Sequence, residues 1–181
     1  MALMESGMVA LGTPCPDFRL PGVDGRTWAR DDFASELLLV VVMCNHCPYV
    51  QAVDDRINAL ARAFAGRCDV VALNPNDAEA YPEDSFAAME ARAAAKGYAF
   101  PYLRDEDQSV ARAFGAVCTP DFFLYDRARS LRYRGRLDDH WKDPDGVRKR
   151  DLQAAIEALL AGGAPEPVQR PSMGCSIKWK A

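Results

Sequence analysis

The stretch that most constrains the fold is Leu37–Val50, which reads LLLVVVMCNHCPYV. Its first seven residues, Leu37–Met43, are apolar without a polar break. A short valine-rich run of this kind is typical of a central parallel strand that is buried on both faces. Pro48 follows soon after, and proline suits the first turn of a helix because its missing N–H is not needed there. The sequence therefore predicts a strand that passes directly into a helix.

Two cysteines lie at this predicted junction between strand and helix. Cys44 and Cys47 enclose Asn45 and His46, so the pair has Cys-x-x-Cys spacing. Backbone N–H groups and the helix dipole favour negative charge at a helix N-terminus, and a reactive thiol is a thiolate. A Cys-x-x-Cys pair beside a strand–helix–strand pattern indicates a thioredoxin-like redox motif. We expect Cys44 to be the more exposed cysteine and the nucleophile, with Cys47 resolving the mixed disulfide.

Composition narrows the partners and the cellular compartment. The 181 residues fit a single domain, and a net charge of −4 argues against nucleic acid or an anionic membrane as the main partner. No apolar run approaches the ~20 residues that span a bilayer, and the first residues lack the basic region of a signal peptide. We therefore expect a cytoplasmic protein. Structural disulfides are rare in that compartment, so the six cysteines of this chain indicate catalytic, metal-binding or buried thiols.

Turn signals and hydrophobic periodicity predict the remaining architecture. Asp24-Gly25 is a strong turn signal, which predicts an N-terminal β-hairpin after a loose leader of residues 1–10. The order that follows is β, α, β, α, α, β, β, α, with a right-handed first crossover. We predict an α/β fold with a mixed central sheet and helices on both faces. We expect one domain over residues 11–163 and a C-terminal extension over 164–181 that packs on it.

The later elements are predicted from local patterns. Leu131–Leu137 alternates with period two, which is typical of an antiparallel strand with one solvated face. That face carries three arginines, Arg132, Arg134 and Arg136. Exposure to solvent is the favoured interpretation of this face, and substrate docking is the less favoured one. The other predicted elements are strands at Cys68–Asn74 and Asp121–Tyr125, a helix at about Pro82–Lys96, a short helix through Val110–Phe114 and a last helix through Leu152–Leu160.

The Cys-x-x-Cys pair at the first crossover, with Thr119-Pro120 before the later hairpin, resembles the thioredoxin fold. In that fold the proline is cis and lies against the active-site cysteines. The resemblance implies that Thr119 and Pro120 present backbone groups to an extended substrate. We also expect Asn45 and His46, between the cysteines, to contact the substrate, and the His46 ring to stabilise a thiolate and make the disulfide more oxidising.

A wider resemblance covers nearly all of residues 11–161. Segments from Pro16-Asp17-Phe18 to Gly135-Arg136 are similar to the alkyl hydroperoxide reductase/thiol-specific antioxidant superfamily. The Asn45–Tyr49 core, with the Gly174–Trp179 ending, resembles a peroxiredoxin-like subgroup of thioredoxin-like proteins. This resemblance implies a redox enzyme whose chemistry depends on cysteine thiols.

The chain departs from both patterns at particular positions. In the peroxiredoxin pattern Pro-x-x-x-Thr-x-x-Cys, with Cys47 as the last residue, the proline position is Val40 and the threonine position is Cys44. The peroxide-polarising hydroxyl is therefore missing from that position. A thioredoxin has tryptophan before its first cysteine, where this chain has Met43, and a buried acid on the preceding strand. That strand offers no acid here. The candidate proton acceptors are Asp121, Asp138 and Asp139.

Three functions follow from these observations. The leading hypothesis is a thiol–disulfide oxidoreductase that acts on a disulfide-containing protein or a small thiol. The second is a thiol peroxidase in which a sulfenic acid condenses with a neighbouring thiol. The third is a metal-binding or redox-sensing module that uses Cys44, His46 and Cys47 with Cys118 or Cys175. The sequence shows no nucleotide, flavin or nicotinamide fingerprint, so we expect no cofactor and a protein or small thiol as electron donor.

Cys118 and Cys175 are candidate auxiliary thiols, whereas Cys15 and Cys68 are expected to be inert. Cys118 directly precedes Thr119-Pro120, and Cys175 lies in the extension. Prolines make residues 164–171 stiff and extended, at about 3.1 Å per residue, so the extension reaches back across the domain. We expect Cys175 to lie beside the Cys44–Cys47 pair, shielding it or acting as a resolving thiol. The alternative is docking on a distant face for stability alone.

Overall fold

The computed structural model describes residues 3–7 and 9–181, which form ten β-strands and four α-helices. The strands are β1 (Leu3–Glu5), β2 (Arg19–Pro21), β3 (Thr27–Ala29), β4 (Leu37–Val42), β5 (Cys68–Asn74), β6 (Tyr102–Arg104), β7 (Cys118–Thr119), β8 (Asp121–Tyr125), β9 (Leu131–Arg134) and β10 (Met173–Ser176). The helices are α1 (Pro48–Ala63), α2 (Phe86–Lys96), α3 (Ser109–Ala113) and α4 (Asp151–Leu160). None of the helices in the described residues has the length and apolar composition that a membrane span requires.

A five-stranded mixed sheet forms the centre of the molecule, in the order β6-β5-β4-β8-β9. Strand β4 pairs parallel with β5 and antiparallel with β8. Every residue of β4 is buried, as the uninterrupted apolar run predicts. Alternate residues of β4 face two cores: one includes α1, α2 and α4, and the other includes α3 and the β2–β3 hairpin. The predicted α/β class, mixed sheet and N-terminal hairpin are confirmed.

The predicted helix over Pro82–Lys96 is divided in two. Pro82–Asp84 forms a 3-10 turn, and α2 begins at Phe86. Ser85 separates the two segments because its extended backbone and its hydroxyl, which accepts a hydrogen bond from the Ala88 N–H, cap the start of α2. The division turns Asp84 into the protein interior, where it is fully buried.

The expectation that the arginines of β9 lie on a solvated face is wrong for Arg134. Its side chain is fully buried, and its Nη2 lies 3.0 Å from Oδ2 of Asp121 on the neighbouring strand. The backbone of β9 is covered because Gln169 accepts a hydrogen bond from the Arg134 N–H and donates one to the Arg132 carbonyl. The strand ends at Arg134 and does not continue to Leu137.

A second, three-stranded antiparallel sheet has the order β1-β10-β7. The leader was predicted to be loose, but Leu3–Glu5 forms β1 and pairs with β10; residues 1, 2 and 8 of that leader lie outside the described residues. Strand β10 also pairs with β7, which places Cys175 opposite Thr119. Gly174 is required at this contact because a Cβ there would lie 2.0 Å from the Thr119 carbonyl oxygen. The division into residues 11–163 and 164–181 stays a prediction.

Candidate functional site: a cluster of three thiols

Cys44 and Cys47 lie where the sequence predicts, at the N-terminus of α1. Cys47 is the N-cap residue and Pro48 begins the helix. The expectation that Cys44 lies at an exposed helix entry is wrong, because both cysteines are buried: Cys44 is 1% exposed and Cys47 is 0% exposed. The Cys44 sulfur lies 3.4 Å from the hydroxyl oxygen of Thr119, within the region that β7 and β10 cover. Neither thiol is open to solvent in this conformation.

Cys175 joins this pair from the extension. Its sulfur lies 3.0 Å from the sulfur of Cys47, and the protonated Cys47 thiol donates to the Thr119 carbonyl oxygen at 3.1 Å. All six cysteines of the chain are thiols in this structure, and all six are buried. Cys47 therefore lies between two other thiols, Cys44 in its own loop and Cys175 on β10.

The three thiols differ in acidity. A hydrogen bond from Cys44, together with contributions from Cys175 and the Val50 backbone N–H, lowers the pKa of Cys47 to about 5 despite its burial. The pKa of Cys44 is raised well above its usual range because Cys44 donates to Cys47, is buried and faces the Asp84 carboxylate. Burial, followed by the interaction with Cys47, raises the pKa of Cys175 to about 12. Cys47 is thus the thiolate of the cluster.

We expect a pH titration of the reduced protein to show one thiolate that forms with a midpoint near the pKa of about 5 of Cys47. Because this pKa is depressed on folding, the associated stabilisation is complete above the ordinary thiol pKa of ~8.5 and is lost as the pH falls through about 5. Ultraviolet thiolate absorbance measures the titration. The acidic step should vanish in Cys47→Ser and persist in Cys118→Ser. A first thiolate appearing only near the ordinary pKa would contradict the assignment.

Asp84 is a buried carboxylate that the sequence did not single out. It accepts hydrogen bonds from the Asn45 backbone N–H at 2.6 Å and the Asn76 side-chain amide at 2.7 Å. Its Oδ2 also lies 2.6 Å from Nδ1 of His46. The sequence does contain one signal for such a residue: two asparagines, Asn74 and Asn76, at the carboxyl end of β5. Polar side chains that are buried there need a hydrogen-bonding partner, which Asp84 provides.

The three predicted proton acceptors have other partners. Asp121 pairs with Arg134, and Asp138 pairs with Arg56. Asp139 accepts hydrogen bonds from two backbone N–H groups of the loop before α4. The acid that faces the Cys44 thiol is instead Asp84, which raises the pKa of that thiol.

Cys44, His46 and Asp84 also form the group that comes nearest to a metal site. One ligand atom from each lies within 4.8 Å of the others. A thiolate, an imidazole and a carboxylate are a suitable donor set for zinc. However, the Asp84 oxygens already accept N–H hydrogen bonds from the protein, so the arrangement favours an aspartate–histidine pair over a metal centre.

The other predicted site residues, Thr119, Pro120, Asn45 and Cys118, have defined contacts near the thiols. The Thr119-Pro120 peptide bond is cis. Asn45 points inward: its side-chain oxygen accepts from the Tyr102 hydroxyl at 3.0 Å and its side-chain amide donates to the Glu83 carbonyl. The sulfur of Cys118 contacts the Pro120 carbonyl oxygen at 3.8 Å, and burial raises the pKa of this thiol. Asn45 and Cys118 therefore have structural contacts of their own.

A cavity of about 300 Å³ lies beside Pro120, between α1, β8 and the extension. Its apolar lining includes Tyr49, two residues after Cys47 in the sequence, and Trp141, whose ring centroid lies 4.2 Å from that of Tyr49. Its charged lining has both signs: the arginines Arg136 and Arg170, and the acids Glu5, Asp138 and Asp139. Pro120 is the point at which this cavity adjoins the Thr119-Pro120 segment beside the thiols, and Cys44, Cys47 and Cys175 do not line it.

Comparison with known proteins shows the relatives of this chain. The model of the AhpC/TSA family matches residues 11–134. A crystal structure of a hypothetical protein from Sinorhizobium meliloti is 44% identical, with a TM-score of 0.94 and coverage of 98% of each chain. An uncharacterized conserved protein from Geobacillus kaustophilus is 43% identical, with a TM-score of 0.94, covering 99% of this chain and 97% of that one. Comparison with curated proteins finds no match.

More distant structures share the fold alone. The thioredoxin domain of a thiol-disulfide oxidoreductase from Bacteroides vulgatus is 14% identical, with a TM-score of 0.64, covering 84% of this chain and 99% of that one. The predicted thioredoxin-like fold is confirmed by this likeness together with the central sheet and its flanking helices.

Proposed function

The chain belongs to the AhpC/TSA family, a group of thiol-dependent redox proteins, and from this premise we propose that it is a thiol–disulfide oxidoreductase with Cys47 as its nucleophile. The observation that carries the proposal is the position of Cys47 at the N-terminus of α1, between two thiols that hold their protons. A thiolate, not a thiol, attacks a disulfide. The roles of Cys44 and Cys47 are therefore the reverse of those expected from the sequence.

The reaction takes place in two exchanges of sulfur partners. The Cys47 thiolate attacks one sulfur of the substrate disulfide, forms a mixed disulfide and releases the other sulfur as a thiolate. Cys44 then loses its proton and attacks the Cys47 sulfur, which releases the second substrate sulfur. The substrate gains two electrons and two protons, and the protein is left with a Cys44–Cys47 disulfide. A protein or small thiol then reduces this disulfide and restores the dithiol.

Cys175 is an auxiliary resolving thiol in this proposal. The sulfur–sulfur separation of 3.0 Å from Cys47 supports the role, since a disulfide forms when two sulfurs approach to ~2.05 Å. Strand pairing with β7 and β1 holds Cys175 in place on the side of Cys47 that the extension covers. Cys118 has no such contact with Cys47 among the described residues and is not assigned a redox role.

The substrate is a disulfide of a protein or of a small thiol. The cavity beside Pro120 supports this choice, because it offers an aromatic wall and side chains of both charges next to α1. A cytoplasmic location, where thiols are kept reduced, belongs to the same proposal.

A peroxiredoxin-like thiol peroxidase is the second candidate, and one contact favours it. The hydroxyl that is missing from position 44 has a counterpart in that of Thr119, which lies 3.4 Å from the Cys44 sulfur and also hydrogen-bonds to Cys47. In this alternative Cys47 attacks a hydroperoxide and forms a sulfenic acid and water or an alcohol. Cys44 or Cys175 then condenses with the sulfenic acid and releases water.

Stopped-flow oxidation of the reduced protein separates the two reactions. We expect a protein disulfide to oxidise Cys47 faster than hydrogen peroxide does. The fluorescence of Trp141, which packs on Tyr49 near the start of α1, reports the reaction. Cys118→Ser is the matched control and should react like the parent. Faster oxidation by peroxide would establish the peroxidase instead. No oxidation of Cys47 by either oxidant would overturn the proposed function.

A further inference from the structure

The second chemical step needs a proton acceptor for Cys44. This thiol holds its proton tightly: its pKa is raised well above the usual range because it donates to Cys47, is buried and faces Asp84. Once Cys47 is in a mixed disulfide, Cys44 attacks only as a thiolate. A bare carboxylate beside it makes that thiolate less favourable, because two negative charges repel each other strongly in a buried region. A group that takes the proton and becomes positive removes this difficulty.

His46 lies within reach of the Cys44 sulfur through one bridging water. One of its ring nitrogens lies within 4.8 Å of the Cys44 sulfur and of an Asp84 oxygen. Its Nδ1 lies 2.6 Å from Asp84 Oδ2, which fixes the orientation of the ring. The His46 side chain is 14% exposed to solvent, whereas that of Asp84 is completely buried. His46 therefore links the buried thiols to the surface.

Asp84 is held too firmly to act by moving. Its Oδ1 accepts from the Asn45 backbone N–H, and its Oδ2 accepts from Asn76. Three hydrogen bonds of 2.6 to 2.7 Å, including the one to His46, surround a carboxylate at 0% exposure. Such a carboxylate stabilises a positive imidazole beside it.

The other groups around this pair include two cations, Lys178 and Arg104. Tyr81 stacks on the His46 ring, with centroids 5.2 Å apart, and Lys178 of the extension lies 5.8 Å from the Tyr81 ring. Titratable groups packed around Cys44 and Cys47 also include Tyr102 on β6, Cys118 on β7 and Cys175 on β10. Arg104 Nη1 lies 3.5 Å from the backbone carbonyl oxygen of Asp84, whereas Asp84 Oδ2 contacts the His46 ring directly at 2.6 Å.

We propose that His46 and Asp84 form a proton relay for Cys44, which rests on the proposed two-step exchange. His46 takes the proton of the Cys44 thiol as Cys44 attacks the Cys47 sulfur, and the sulfur–sulfur bond to the substrate breaks. The imidazolium then gives this proton to the departing substrate thiolate, so protons and electrons balance within the step. Asp84 is a positioning residue that orients His46 and stabilises its positive form.

The test follows the resolving step alone. In a Cys175→Ser background, Cys47 is converted to its mixed disulfide with thionitrobenzoate, and release of the coloured thiol by Cys44 is measured across the pH range. His46→Gln should slow release at neutral pH by roughly 10²–10⁴-fold, the usual contribution of general acid–base catalysis. The difference in release rate between His46→Gln and the parent should disappear at alkaline pH, where hydroxide removes the proton of Cys44. Asp84→Asn should show a smaller loss with the same pH dependence.

Asp54→Asn is the matched control, because Asp54 is equally buried and pairs with Arg92 and Lys96 on α2, away from the thiols. It should keep the parental pH profile. His46 is partly exposed, so His46→Gln folds even if Asp84→Asn does not. Release from His46→Gln with the parental pH profile overturns the relay and leaves the proposed function intact. A parent that releases no thiol through Cys44 overturns both.

Discussion

Replacing Cys47 by serine is expected to lower the rate of disulfide reduction by about 10³-fold or more. Cys47 is the acidic thiol of the cluster, with a pKa of about 5, and both other thiols hold their protons near neutral pH. A serine hydroxyl does not replace a thiolate in disulfide exchange, and loss of a nucleophile typically removes most of an enzyme's rate enhancement. Turnover with a disulfide substrate and a thiol reductant measures the effect.

Cys44→Ser is the informative comparison, because it removes the resolving thiol and keeps the nucleophile. It should accumulate a mixed disulfide on Cys47, which mass spectrometry of the trapped adduct locates. Further loss of Cys175 should make that adduct longer-lived, since both neighbouring thiols are then gone. Adducts that form on Cys44 in the Cys47→Ser protein would instead restore the roles expected from the sequence.

Gly174→Ala is expected to raise the rate of alkylation of Cys47 by about 10²-fold. The new Cβ would lie 2.0 Å from the Thr119 carbonyl oxygen, so β10 has to move away from β7. A displacement that costs about 3 kcal/mol changes the population of the open state by about this factor, because ~1.4 kcal/mol is tenfold. The fold around the central sheet should remain, since β10 does not belong to it. Peptide mass spectrometry after timed iodoacetamide treatment gives the rate.

Gly7→Ala is the matched control, because a Cβ on Gly7 meets nothing within 4 Å. Its alkylation rate and melting temperature should equal those of the parent. Truncation after Gly163 removes the whole extension and should produce at least the effect of Gly174→Ala. A lower melting temperature with unchanged alkylation would show that the strand stabilises the protein without shielding the thiols.

Local patterns were enough to predict the central elements of the fold. Strands β5 and β8 have the bounds that their apolar runs predict, and Cys47 lies at the start of α1 as Pro48 indicates. These features depend on neighbours in the sequence: burial on both faces requires a continuous apolar run, and a proline marks the first helical turn.

The contacts that decide chemistry are between distant residues, and the sequence did not predict them. Arg134 is buried because Asp121 neutralises it and Gln169 covers its strand. Asp84 faces Cys44 because Ser85 ends one turn and begins another helix. Alternation and capping describe each segment alone, so they give neither the ion pair nor the partner of His46.

Strand β10 is made last during synthesis, although it lies between β1 and β7 in the sheet β1-β10-β7. Cys47 and Cys175 are 128 positions apart, and a ribosome that adds about 5–20 residues per second needs roughly ten seconds to cover that distance. During that interval the nascent chain already contains β1, Cys44 and Cys47, but not the strand that lies between β1 and β7. The newly made thiols are therefore uncovered while the ribosome is still working, and a reducing environment has to protect them until β10 is made.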